Sequence, residues 1–156
     1  MLLPMASPRI LVYADAVTKQ LVRIDMVAAA TSAASGGGQG RGTAVFQFGG
    51  APVTTALSAD GGSLCVSQRA HLLVFDTAQV LVEGPVADDP LQSLQPRART
   101  AEPTGGGHVS DAAFSLDGGR LFALCMTGEV TVHDARHDDL LSTEVSARTS
   151  KEHRQR

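Results

Sequence analysis

The stretch 107–134 constrains the fold more than any other part of the chain, because turn chemistry and strand periodicity agree there over a whole supersecondary unit. Apolar residues at 109, 112, 113 and 114 make a first short strand. Ser115-Leu116-Asp117-Gly118-Gly119 follows, with the Asp and Gly residues that tolerate positive φ in a tight reversal. Residues 121–125 are an almost unbroken apolar run, the pattern of a strand covered on both faces. Thr127-Gly128 supplies a second turn, and Glu129-Val130-Thr131-Val132-His133-Asp134 then alternates polar and apolar residues at period two. The unit therefore reads as three short antiparallel strands.

The same signature returns upstream. Ser58-Ala59-Asp60-Gly61-Gly62 aligns with 115–119, Leu57 with Phe114, Leu64 with Leu121, and Val74-Phe75-Asp76 with Val132-His133-Asp134. A third, shorter copy covers 9–25, with strands at 10–13 and 20–24 around a polar reversal at 15–19. It has the pattern of the last two inner strands of a repeat whose beginning is missing or degenerate. The closing aspartates Asp25, Asp76 and Asp134 are 51 and 58 residues apart. Two insertions separate the copies. Residues 27–42, rich in Ala, Ser and Gly, show no periodicity and read as a flexible linker. Residues 79–106 carry Pro85, Pro90, Pro96 and Pro103 and allow a helical turn near 91–94. Because proline cannot donate to a ladder, this segment is expected to be a loop crossing an outer edge. Residues 140–145 are expected to form the last outer strand. Residues 1–145 thus make one segment, and the polar, mildly basic end 146–156 is expected to be disordered.

With Gly107-His108 at its start, an Asp-Gly turn at 117–118, a second turn glycine at 128 and a closing Asp134, the unit resembles a WD40 repeat, whose period is about 40–45 residues before insertions are added. The resemblance implies an all-β fold: a partial or truncated WD40-like β-propeller of antiparallel blades. It also implies that Asp60, Gly61, Asp117, Gly118, Asp25, Asp76 and Asp134 hold structural repeat positions. His108 would join a hydrogen-bond network inside its blade. The sequence departs from the family pattern where Thr127 precedes the turn glycine and where His133 stands in place of tryptophan. Propellers close with about four to eight blades, so two and a half blades imply completion by further sequence or another polypeptide, an open, twisted β arrangement, or closure by oligomerisation, and a truncated or split propeller is the reading favoured.

Composition narrows the chemistry. A net charge of −3 argues against a dominant attraction to nucleic acid or anionic lipid, and 4% aromatic residues leave few platforms for stacking bases. Cys65 and Cys125 both sit in apolar runs, which fits reduced, buried thiols. Met1-Leu2-Leu3-Pro4-Met5 lacks a positive n-region, and no run approaches the ~20 apolar residues of a membrane span, so a cytoplasmic or nuclear protein is expected. His108, Asp111, His133, His137 and Asp138 lack compact metal-ligand spacing. No G-x-S-x-G elbow is present, and the glycines of 36–42 fit no phosphate-binding loop. Gly40-Arg41-Gly42 makes a single Arg-Gly unit, which is linker-like. No catalytic residue, metal or cofactor is assigned. The reading is a non-enzymatic scaffold with protein partners, RNA only indirectly and no membrane. The alternative is a noncatalytic WD40 subunit of an RNA-modifying enzyme such as the tRNA guanine-N7 methyltransferase. An enzymatic propeller of the lactonase or quinoprotein type would need an inward ring of His and acidic residues from more blades than this chain has.

Overall fold

Each of the two Asp-Gly-Gly turns closes a hairpin, and those hairpins seed two of three antiparallel sheets. The computed structural model describes residues 10–34, 42–81, 94–100, 107–137 and 142–143. The first sheet holds β1 (Ile10–Asp15), β2 (Gln20–Asp25) and β3 (Thr43–Gln47) in that order. The second has the order β4 (Pro52–Leu57), β5 (Ser63–Gln68), β6 (His71–Asp76), β7 (Ala98–Arg99). The third runs β8 (Val109–Phe114), β9 (Arg120–Cys125), β10 (Val130–Asp134), β11 (Ser142–Thr143). All pairs are antiparallel, so each sheet is a meander. Two short helices, α1 (Met26–Ala34) and α2 (Thr77–Val80), each follow directly on a third-strand or equivalent Asp. The described residues are thus all-β, a partial β-propeller in which three blades stand side by side without closing a ring.

The three meanders are in phase. Asp25, Asp76 and Asp134 end β2, β6 and β10, so these are equivalent strands and β3, β7 and β11 are the outer strands that follow them. The innermost strands β4 and β8 lie against each other, joined by the Thr54 hydroxyl donating to Asp111 Oδ1 at 3.2 Å. A backbone bond from Val109 N–H to the Arg69 carbonyl, 2.8 Å, ties the start of the third blade to the turn of the second. The first blade has no counterpart of β4 among the described residues.

Two apolar layers hold the blades together. Between the first and second sheets lie Ile10, Val12, Leu21, Val45 and Phe48 against Leu64, Val66, Leu73 and Phe75. Between the second and third lie Ala56, Cys65, Leu72 and Val74 against Val109, Leu121, Ala123 and Ala135. Successive residues of a strand point to opposite faces. The middle blade is therefore buried on both sides, with four consecutive buried residues in each of β5 and β6. Leu64 and Leu121, equivalent in sequence, both face the preceding blade and are fully buried.

The structure corrects several expectations. Residues 26–34, expected to be mostly flexible linker, form α1. The segment Met-Val-Ala-Ala-Ala-Thr-Ser-Ala-Ala lacks an apolar stripe but is rich in the strongest helix former, and the Asp25 carboxylate caps it by accepting the Val27 N–H at 2.9 Å. Residues 35–41 lie outside the described residues. Within 79–106, expected to be loop, Ala98–Arg99 pairs with β6 as an outer strand, and Leu94 and Ala98 are buried. The helical turn expected near 91–94 falls largely outside the described residues, as does the tail 146–156. The run 121–125, expected to be covered on both faces, is covered on one: Leu121, Ala123 and Cys125 are buried while Phe122 and Leu124 are exposed.

Candidate interaction surface

The rim that carries the first-to-second-strand turns is built twice from the same bonds. Ser58 Oγ donates to Asp60 Oδ1 at 2.5 Å, Asp60 Oδ1 accepts the Gly62 N–H at 2.9 Å, and Ser58 Oγ accepts the Ser63 N–H at 2.9 Å. In the third blade the same three bonds run from Ser115 Oγ to Asp117 Oδ1 at 2.6 Å, from Gly119 N–H at 3.0 Å and from Arg120 N–H at 2.9 Å. Gly61 and Gly118 have φ of 73° and 68°, the left-handed conformation that the turn needs from its first glycine. The serine hydroxyl and the glycine N–H stabilise the charged carboxylate, so Asp60 and Asp117 are both held below the ordinary aspartate value. Asp15, on the opposite rim, is lowered in the same way by the Thr18 hydroxyl and the Val17 N–H.

The closing aspartates stand beside these turns. The N–H after Asp76, on Thr77, donates to the Gly62 carbonyl at 3.1 Å, and the N–H after Asp134, on Ala135, donates to Gly119 O at 3.0 Å. Each strand end is thereby fastened to its own Asp-Gly-Gly turn. Asp25 and Asp134 accept the backbone N–H two residues on, from Val27 and Arg136, both at 2.9 Å. Asp76 instead pairs with Arg97 Nε at 2.9 Å. Arg97 also donates to the Ala135 carbonyl at 3.1 Å and to Ser63 Oγ at 3.3 Å, so one guanidinium bridges the second and third blades. Arg136 reaches back to Asp117 Oδ2 at 2.9 Å. Next to this pair is a cleft of about 460 Å³ lined by Ser115, Asp117, Gly119, Arg120, Phe122, Asp134 and Arg136. Leu116 projects from the turn tip and is 94% exposed.

The remaining candidates do not gather. His108 is exposed and contributes its carbonyl, which accepts the Met126 N–H at 2.8 Å; its ring is not inside the blade network that the family resemblance implied. His133, by contrast, is buried at the place of the expected tryptophan, its Nε2 lying 3.0 Å from the Thr131 hydroxyl. Among the described residues no three His, Cys, Asp or Glu side chains come together as metal ligands. Cys65 and Cys125 are buried in different strands and neither is in a disulfide, and burial pushes the Cys65 thiol up to about 12. No described helix is long and apolar enough to cross a membrane. Sequence reasoning missed Arg97 and Arg136, the two cations that organise this rim. Arg136 lies two residues past a closing aspartate, and that spacing is the signal that could have found it. Arg97 lies in a proline-rich stretch with no periodic frame.

No protein-family model matches the sequence, and no curated protein sequence matches it. Among solved structures, the chain is similar to a chain of hydrazine synthase from Kuenenia stuttgartiensis, with 16% identity and a TM-score of 0.58. The match covers 90% of this chain and 34% of that one, so this chain spans about a third of the length of the structure it resembles. At that identity the likeness shows the fold alone.

Proposed function

We propose that the chain is a WD40-like scaffold segment, without catalysis of its own, that holds partner proteins within a larger complex. The observation that carries this reading is the twice-built turn rim: backbone and side-chain bonds fix each turn, and the third blade uses that rigid base to present Leu116 beside the Asp117–Arg136 pair and its cleft. A single exposed apolar residue needs no explanation, but one held on a hydrogen-bonded tip and flanked by charge has the anatomy of an interface anchor with a polar rim. Cross-linked capture from native lysate tests it, comparing the wild-type chain with Leu116→Asp and with Arg136→Glu. A discrete set of proteins held by the wild type and lost from both folded variants supports the scaffold reading. Capture that is unchanged in both variants, or turnover of a substrate by the isolated chain, overturns it. A methyltransferase among the captured proteins would move the assignment to the RNA-modifying alternative.

A further inference from the structure

The two ends of the blade row are not alike, and each is the counterpart of a surface that is buried in the middle. On the second blade the face turned towards the third carries Ala56, Cys65, Ser67, Leu72 and Val74, all buried. The equivalent positions on the third blade are Ala113, Phe122, Leu124, Val130 and Val132. They form one cross-strand patch, since Phe122 pairs with both Ala113 and Val132, and Leu124 pairs with Val130. No blade among the described residues lies against this patch: Val132 is buried, but Phe122 is 37% and Leu124 42% exposed where Cys65 and Ser67 are 0%. At the other end, Leu11, Tyr13, Val22 and Ile24 share the outer face of the first sheet, because Leu11 pairs with Ile24 and Tyr13 with Val22 while Ile10, Val12 and Leu21 face inward. Their equivalents in the middle blade, Leu64, Val66, Leu73 and Phe75, are buried against a neighbouring blade; Leu11, Tyr13 and Ile24 are only half-buried.

We infer that the Phe122–Leu124 face of one copy of this chain receives the Leu11–Tyr13 face of a second copy, and the reverse, closing a ring of two chains. Continuity with the interfaces inside the chain argues for a blade as occupant: the position-by-position partner of this face, one repeat earlier, is another blade. Counting argues for two copies. The described residues of one copy give three blades, so three copies would give nine of them, whereas two give six, inside the range of about four to eight in which propellers close. The junction is head-to-tail, joining different faces, and a head-to-tail junction that closes under a two-fold makes a finite dimer instead of a filament. The inference concerns the sheet faces, which share Phe122 with the cleft beside the turn rim but not Leu116 or Arg136, so a monomeric chain would leave the scaffold reading standing.

Light scattering coupled to size exclusion, run on the full chain over a dilution series, reads the mass directly. A dimer is expected; a monomer at every concentration, or a mass that keeps growing with concentration, overturns the ring. Two variants then fix the geometry, with circular dichroism as the check on folding. Phe122→Lys/Leu124→Lys spoils one face and Leu11→Lys the other, and each alone should lose the dimer. Mixed, with different tags, they should co-purify, because one intact junction remains between unlike copies. A Leu11→Lys chain that still dimerises by itself would point to pairing of two Phe122 faces and would overturn the head-to-tail assignment, as would failure of the folded variants to co-purify.

Discussion

Gly118 sits at φ 68° in open space, with nothing within 4 Å of where a Cβ would stand, so any cost of substitution there is conformational and not steric crowding. Gly118→Val should cost about 1–3 kcal/mol in a denaturant titration, the price of a β-branched residue in the left-handed region. Asp117→Ala, which removes bonds from an exposed carboxylate, should cost clearly less. Asp60 and Asp117 have folded values below their unfolded ones, so their contribution is fully present above the ordinary carboxylate range and is lost as pH falls through it. Thermal melts should therefore weaken below about pH 4, and Asp60→Asn with Asp117→Asn should flatten that decline. Thr55 gives a change of the opposite sign. Its hydroxyl is buried with no hydrogen-bond partner among the described residues, so Thr55→Val should leave stability unchanged or raise it by about 1 kcal/mol.

Along β9, neighbouring residues have opposite environments, which makes the strand its own control. Leu121→Ala should cost about 2–5 kcal/mol, and Leu64→Ala, on the equivalent position of β5, a similar amount. Phe122→Ala, one residue on and partly exposed, should cost markedly less in a dilute monomeric sample, although Phe is the larger side chain. The same strand marks the limit of reading from sequence. Its apolar run announced a strand, but one covered on both faces, which it is not; composition cannot say whether a neighbour is present to cover the second. The turns were legible because Asp and Gly at fixed offsets have few conformational uses. The helix α1 was not, since alanine propensity leaves no periodic trace, and neither was β7, whose two residues are too short to show alternation. The Asp60 and Asp117 turns of the candidate rim were visible in advance. The arginines that complete it come from segments outside the repeat pattern.

At the scale of the whole molecule, the middle blade is the keystone of both apolar layers, and Cys65 is fully buried within the second. With its thiol pushed up to about 12 and no solvent access, Cys65 should resist alkylation at neutral pH until the second and third blades separate, so its labelling rate reports blade separation. Rapid labelling in the native chain, followed by peptide mapping, would contradict this arrangement. The wiring of that blade also sets an order of events. β4, β5 and β6 are joined by turns of a few residues, whereas β7 returns to the sheet only after the long segment that follows Asp76. Short hairpins form within microseconds and long closures cost more chain entropy, so the three-stranded meander should assemble before its outer strand arrives. Arg97, adjacent to β7 and clamped to Asp76, Ser63 and Ala135, is then a latch fastened after the folding barrier has been crossed. Arg97→Ala should speed unfolding in stopped-flow measurements and leave the refolding rate nearly unchanged, so the bridge would govern how long the folded chain persists more than how quickly it forms.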